Sequence, residues 1–374
     1  MPKVPRIAIV HEYLTRMGGA EKTVKVLADL FPAARVFTLL YDEAKCGKDF
    51  PAWRVETSRL QNFPKFLRAR PKFLLPFIPS AIESFDFDDY DLVISSSSAF
   101  AHGLILPVKN RHICYCHSPA RFLWDYSHEY LRENKITGLK KILLNSKLKD
   151  LRIWSRLSAR RVDRFLANSL TVQKRIQKYF RTDSEVVHPP VEVAKIKLGD
   201  HHENYFLIVS QLAGYKKIEL AISVFNKLRR RLVIVGDGPR REFLESIAGK
   251  TIEFLGWRSD AEIHELLQNC RGFIFPGEDD FGIAPVEAMA AGKPVLAFKK
   301  GGATETVIHK KTGILFPEQT PDSLENGLAL FFAQEKKFEP KKIRAHAHQF
   351  SRQVFERAIR RIVAEEFAKI SVDD

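Results

Sequence analysis

PGEDDFGIAPVEAMAAGKPVLAF, Pro276–Phe298, lies between two apolar runs of strand length, GFIF before it and PVLAF at its end. Between the runs come an acidic loop with a glycine and then a helix. Pro285 suits a first helical turn, and Val286, Glu287, Ala288, Met289 and Ala290 continue it. Gly292 and Pro294 mark its end. The order is strand, loop, helix N-terminus, strand. A helix start offers unpaired N–H groups and the positive end of a dipole, which suit a diphosphate. Carboxylates beside it accept hydrogen bonds from sugar or ribose hydroxyls. A phosphate plus a polyol is a nucleotide sugar. An ordinary αβ crossover with a solvated acidic loop has the same local pattern.

Around this stretch the chain has 374 residues, 45% hydrophobic and 28% charged, which suits two domains with substantial cores. No run of 18 apolar residues occurs, so no membrane-spanning helix is expected. The start, MPKVPRIAIVHEYL, has too short an apolar run before His11 and Glu12 for a secretory leader, and a cytoplasmic protein is expected. Cys46, Cys114, Cys116 and Cys270 match no zinc or thioredoxin spacing. Cys114 and Cys116 alternate onto one strand face and read as core filler. No motif for a metal-bridged diphosphate is read at the donor segment, so neither metal nor cofactor is expected. The net charge of +15 implies an anionic partner: nucleic acid, acidic lipid or a phosphorylated substrate.

RIAIVHEYL reads as a buried strand, Gly18-Gly19 as a tight turn, and the following residues as a helix with Val24, Leu27, Ala28 and Phe31 on one side. This is a Rossmann-like opening without the GxGxxG pattern. The glycines serve either a phosphate or close strand–helix packing. From Arg59 to Ile78, cations (Arg59, Lys65, Arg68, Arg70, Lys72) interleave with Phe63, Phe66, Phe73 and Phe77, and prolines at 64, 71 and 76 forbid one long helix. Such a stretch fits RNA stacking, a membrane interface, or a basic surface over tucked-in phenylalanines. RHICYCHSP ends a strand at His117, where α/β sites form. Leu139–Arg161 is a basic amphipathic helix, with Leu144, Leu148, Leu151 and Trp154 or Leu157 on one face and Asp150 as its one acid. Asn168-Ser169 caps a further helix. Pro189-Pro190 and the polar residues to Asn204 form a linker. A second α/β series then restarts at NYFLIVS, and QFSRQVFERAIRRIVAEEFAKI closes as a helix.

The Pro276–Phe298 segment closely resembles the donor-site signature of family 4 retaining glycosyltransferases, which have the GT-B fold. That pattern sets two acids eight positions apart around an FG(I/L) turn. Here they are Asp279 and Glu287, and Asp279-Asp280-Phe281-Gly282 stands for the usual EGFG, with Glu278 one place out of register. The resemblance covers most of the chain, strongest from Tyr205 to Phe316. It implies an α/β architecture of two Rossmann-like, doubly wound parallel-sheet domains facing across a cleft. Residues 1–190 would form the acceptor domain and 200–349 the donor domain, with a helix at about 350–371 crossing back to the first.

The resemblance also assigns roles. Gly18 and Gly19 would face the donor diphosphate, and His117 would project beside the transferred sugar. Lys216, with Lys217 adjacent, occupies the phosphate lysine position. Gln211 stands where the family has Arg, and it brings neither charge nor a bidentate fork. Glu287 would hold ribose hydroxyls. Asp279 and the Phe281-Gly282-Ile283 backbone would hold the sugar. The catalytic set is thus His117, Asp279 and Lys216, without metal; no carboxylate nucleophile is evident. The implied reaction moves a hexose from a nucleotide sugar to a hydroxyl with retention. PGEDDFGI and HSPARFLWD look like bacterial mannosyltransferases of O-antigen and exopolysaccharide assembly, implying mannose from GDP-mannose and a glycan or lipid-linked acceptor. The basic segments imply an anionic membrane surface, peripheral on the inner face. A UDP- or dTDP-sugar transferase and a GT-B nucleotide-sugar epimerase remain open. A nucleic-acid-binding protein would explain the charge, but no such module is visible and no nucleic-acid partner is expected.

Overall fold

The computed structural model describes residues 5–133, 136–199 and 201–373, with the side chains of 71, 72, 133, 139 and 371–373 left out. Met1–Val4 of the leader reading, Lys72 of the basic–aromatic stretch, the Leu139 side chain, and residue 200, the expected start of the donor domain, lie outside the description. The chain divides into two compact units. One runs to His188 and resumes at Glu356, and the other is Pro189–Phe355.

In the first unit the strands are β1 (Ile7–Leu14), β2 (Arg35–Tyr41), β3 (Val55–Thr57), β4 (Leu92–Ser97), β5 (Arg111–Cys116), β6 (Arg164–Ala167) and β7 (Ser184–Val186). Their order is β3-β2-β1-β4-β5-β6-β7, every pairing parallel. Helices on both faces explain why β1 and β4 are buried nearly end to end. The strand order reverses between β1 and β4, so the crevice beyond their carboxyl ends is this sheet's ligand position.

The second unit has β8 (Tyr205–Val209), β9 (Arg231–Val235), β10 (Ile252–Gly256), β11 (Gly272–Phe275), β12 (Val295–Phe298) and β13 (Gly313–Phe316), ordered β10-β9-β8-β11-β12-β13 and again parallel. Its reversal falls between β8 and β11. The two units are therefore Rossmann-like α/β sheets, as expected.

The expected basic helix runs Gly138–Ser158 and continues as a short 3-10 turn to Arg161. Leu148 and Leu151 are buried in the core with Phe37, Ile78 and Leu123, while Leu144 and Trp154 pack at its edge. A Cβ on Gly103 would stand 2.3 Å from the Trp154 ring, so the bare glycine is what lets the indole seat. Trp154 Nε1 donates to Glu83 Oε1 at 2.9 Å, and Arg161 pairs with that same oxygen at 2.7 Å. Leu157 stays outside this face, as do Ile142 and Ile153.

The Arg59–Ile78 stretch breaks at its prolines as expected, into 3-10 turns at Arg59–Asn62 and Pro71–Phe77 around a short helix at Lys65–Arg68. Leu60, Leu74 and Ile78 fill the core. Phe66 and Phe73 do not tuck in; they are 67% and 59% exposed.

The helix Arg352–Asp373 presents Ile359, Ile362 and Val363 to the interior, together with Glu366. The Glu366 carboxylate is fully buried and accepts hydrogen bonds from Arg111 Nη2 at 2.9 Å and Lys369 Nζ at 2.7 Å. Arg164 bridges Glu365 at 2.6 Å and Glu185 at 2.5 Å.

Candidate active site

In the second unit, the loop after β8 and the loop after β11 meet at the reversal point. After β8, Gly214–Lys216 forms a 3-10 turn and Lys217, with φ 52°, caps the helix Ile218–Leu228. After β11 comes the acidic loop. A Cβ on Gly277 would lie 2.8 Å from Lys216 Cα, so glycine there allows the two backbones to touch. The contact brings Lys216 Nζ to 2.5 Å from Asp279 Oδ2. Both side chains are mostly buried. Burial alone would lower the Lys216 pKa, but the Asp279 charge outweighs it, and the amine is held above its ordinary value. Two residues expected to meet different parts of one donor are thus paired with each other.

The acidic loop is clamped from below by the Gly301-Gly302 turn. Gly302 N–H donates to the Asp279 carbonyl at 2.9 Å, and Gly301 takes φ 64° with no room for a Cβ against that oxygen. Lys300 reaches Glu278 at 3.0 Å.

The helix runs Ile283–Ala290, so it begins two residues before Pro285, with Gly282 at φ 87° as its cap. Pro285 still falls in the first turn, where no intrahelical N–H is lost. Glu287 consequently sits in the second turn and not at the helix start, half-buried. The Phe281 side chain is core, edge-on to Phe350 at 5.6 Å, which leaves the Phe281-Gly282-Ile283 backbone as the part facing the loop. Gln211 is exposed on the β8 loop, five residues before Lys216.

In the first unit a second cluster stands at the β1/β4 reversal, and most of it was not anticipated. His117 follows β5 directly. Its Nε2 lies 2.8 Å from Ser96 Oγ, and its ring meets Tyr115 edge-on at 5.1 Å and His11 at 6.4 Å. His11 Nδ1 lies 2.8 Å from the Ser96 carbonyl oxygen, 3.7 Å from Glu12 Oε2, and its Nε2 is 3.8 Å from Glu21 Oε1. Glu12 Oε1 accepts the N–H groups of Ser98, Ala99, Phe100 and Ala101, at 3.0, 2.9, 2.8 and 2.8 Å. Such a nest holds an anion despite burial. Burial pushes the Glu12 pKa up, yet His11 and these donors bring it below its ordinary value.

Glu21 is the third helical residue after the Gly18 cap, and its Oε2 accepts the Gly18 N–H at 2.9 Å. The Gly18 donor expected to face a diphosphate is turned to this carboxylate. Gly19 opens the helix Gly19–Leu30. Burial, and then the His11 charge, bring the His117 pKa down to about 4. One signal for this cluster lay in the sequence: His11 and Glu12 interrupt an otherwise apolar strand, and charged groups there need partners.

Two family models match in tandem: Glycosyltransferase Family 4 over residues 17–195 and Glycosyl transferases group 1 over 192–352. Among curated relatives, an uncharacterized glycosyltransferase of Methanocaldococcus jannaschii is 24% identical over 50% of this chain and 54% of its own length. The chain thus spans about half of that relative. An alpha-1,3/1,6-mannosyltransferase of Dictyostelium discoideum is 24% identical over 83% of this chain and 85% of that one. An O-antigen chain mannosyltransferase C of Escherichia coli is 27% identical over 43% and 46%. In fold, the chain is similar to Anabaena Alr3699/HepE, solved in complex with UDP, with a TM-score of 0.72, 18% identity, and coverage of 96% of this chain and 100% of that one.

Proposed function

Because the chain belongs to the family 4 glycosyltransferases of the GT-B fold, we propose that it transfers mannose from GDP-mannose, with retention, to a hydroxyl of a lipid-linked glycan in cell-surface polysaccharide synthesis. The mannosyltransferase relatives support the sugar, and the O-antigen relative supports the pathway. The observation that carries the reading is the Lys216–Asp279 pair, a cation fixed at the carboxyl ends of β8 and β11 beside a helix start. When the glycosidic bond to the diphosphate breaks, negative charge develops on the leaving oxygens and positive charge on the sugar. Lys216 and the N–H groups of Gly282, Ile283 and Ala284 stabilise the first without a metal, and Asp279 orients the sugar that carries the second. Glu287 takes ribose hydroxyls and His117 the sugar, while Gln211 adds a neutral donor.

A UDP-sugar is the second reading, supported by the UDP complex of the Anabaena neighbour. Thermal melting with GDP-mannose, UDP-glucose and dTDP-glucose separates the two, because a bound donor raises the melting temperature by mass action. GDP-mannose should give the largest shift, and transfer should persist in EDTA. A larger shift with UDP-glucose would replace the donor assignment.

The proposed location is the cytoplasmic face of a membrane. Among the described residues no helix is long and apolar enough to cross one. The outer stripe of the Gly138–Ser158 helix instead carries Ile142, Lys149, Ile153 and Leu157 at helical spacing, all exposed. Apolar groups interleaved with cations suit an anionic lipid surface, with each cation contributing about 1 kcal/mol at low salt.

A further inference from the structure

We propose that His11 is a fixed imidazolium, clamped by Glu12 and Glu21, that adds to burial in holding His117 neutral into the acid range and so acts as a positioning residue for it. The Ser96 carbonyl can only accept, so His11 Nδ1, 2.8 Å away, carries a proton. Nε2 faces the Glu21 carboxylate at 3.8 Å. A neutral ring would turn a lone pair toward that anion. With acceptors on both sides, His11 holds both protons. Burial opposes the charge, but Glu21 and Glu12 outweigh it and its pKa is raised.

Ser96 then links the two imidazoles. Its carbonyl takes the His11 proton, and its hydroxyl meets His117 Nε2 at 2.8 Å. With ring centroids 6.4 Å apart in a buried setting, a second imidazolium is disfavoured. The groups facing this pair are Glu12 on β1, Glu21 on the helix Gly19–Leu30, Ser96 on β4 and Tyr115 on β5. Burial, and then the Glu21 charge, keep the Cys46 thiol protonated, its pKa pushed up to about 11. Arg16 adds positive charge near Glu21.

Glu21 therefore joins two features. One oxygen holds the Gly18 N–H and the other faces His11. The glycine turn and the charged His11 ring thus share one carboxylate. The use of a neutral His117 in transfer, as a hydrogen-bonding and not a charged group, rests on its proposed place beside the sugar.

Histidine-labelled protein, followed by NMR from pH 8 to 4.5, tests this, with the His117 signals identified by their loss in His117→Gln. In the wild type His117 should stay neutral through pH 5 and His11 should stay doubly protonated through pH 7. In His11→Gln, which keeps a donor for Ser96 but no charge, the His117 pKa should rise by about one unit, and the acid limb of kcat/KM should move by the same amount. Glu21→Gln should let His11 lose its proton at lower pH, and this variant decides the matter if His11→Gln does not fold. A His117 titration unchanged in folded His11→Gln, or a wild-type His11 that is neutral at pH 7, overturns the proposal. If the NMR shifts occur while His117→Gln transfers sugar normally, the positioning stands and the place of His117 beside the sugar falls.

Discussion

Lys216 and Asp279 neutralise one another in the structure, so replacing either leaves the other mostly buried and unpaired. Lys216→Ala should lower turnover roughly 10- to 100-fold, more than Gln211→Ala, because Gln211 brings no charge. Gln211→Arg should raise turnover or leave it intact. A Lys216→Ala/Asp279→Ala cycle, read in both kcat and melting temperature, separates catalysis from lost pairing. Wild-type turnover in Lys216→Ala would move the essential cation elsewhere. Glu287→Ala should weaken nucleotide binding by about 1.5–3 kcal/mol in calorimetry, the contribution of a charged acceptor, with the fold intact. The pair itself was not legible in the sequence, because 63 residues separate its members and their meeting needs both the β8–β11 pairing and the close backbone approach at Gly277. Their membership of one loop cluster was legible, since both follow strands in a βα alternation.

Elements touch through glycines in both units, which makes backbone approach testable. Gly277→Ala should push the acidic loop off Lys216 and depress turnover with little change in melting. Gly103→Ala should unseat Trp154 and cost about 1–3 kcal/mol in denaturant unfolding, as overpacking does. Unchanged stability would mean that the Gly138–Ser158 helix shifts to absorb the methyl. For that helix, co-sedimentation with anionic liposomes should be strong at low salt and weak at high salt, and should fall in Ile142→Gln/Ile153→Gln. Equal recovery in the supernatant with neutral and anionic vesicles at both salts would end the membrane assignment. Sequence periodicity found the inner stripe of this helix through Leu148 and Leu151. The outer stripe escaped notice because a helix of 21 residues admits two apolar stripes at similar spacing, and only packing tells which is buried.

At the scale of the molecule, acid sensitivity is unevenly distributed. His102 and His117 have pKa values near 4 and His112 near 3, all lowered mainly by burial, and all three lie in the first unit. Between those values and 6.5 the unfolded chain binds more protons than the folded one, so their stabilising effect is complete above about pH 6.5 and is lost as pH falls toward 4. His11 works the other way, its contribution present below 6.5 and lost as pH rises through its raised value. Glu12 and Glu21, with lowered values, lose theirs only below about 4.5. Each neutral histidine contributes up to about 1.4 kcal/mol per pH unit. Hydrogen exchange at pH 7.5, 5.5 and 4.5 should therefore show core amides of the first unit losing protection before those of Pro189–Phe355. The opposite order would contradict the burial of these rings. The fold class was legible throughout, because alternating strands and helices dictate parallel sheets. The buried carboxylate of Glu366 was not: within AEEFAKI it reads as a solvated acid, and its partner Arg111 lies 255 residues away.

That last contact bears on the order in which the protein is made. The first unit is interrupted, since Arg111 and Arg164 leave the ribosome long before Glu365 and Glu366, with all of Pro189–Phe355 synthesised between. The unit translated second can therefore finish folding first, while the earlier one waits with two arginines and the apolar bed for Ile359, Ile362 and Val363 uncovered. A fragment comprising residues 5–188 should exchange amides rapidly until a peptide of residues 352–373 is added in trans. For this chain, nascent-state exposure is a property of the sheet that emerges earliest.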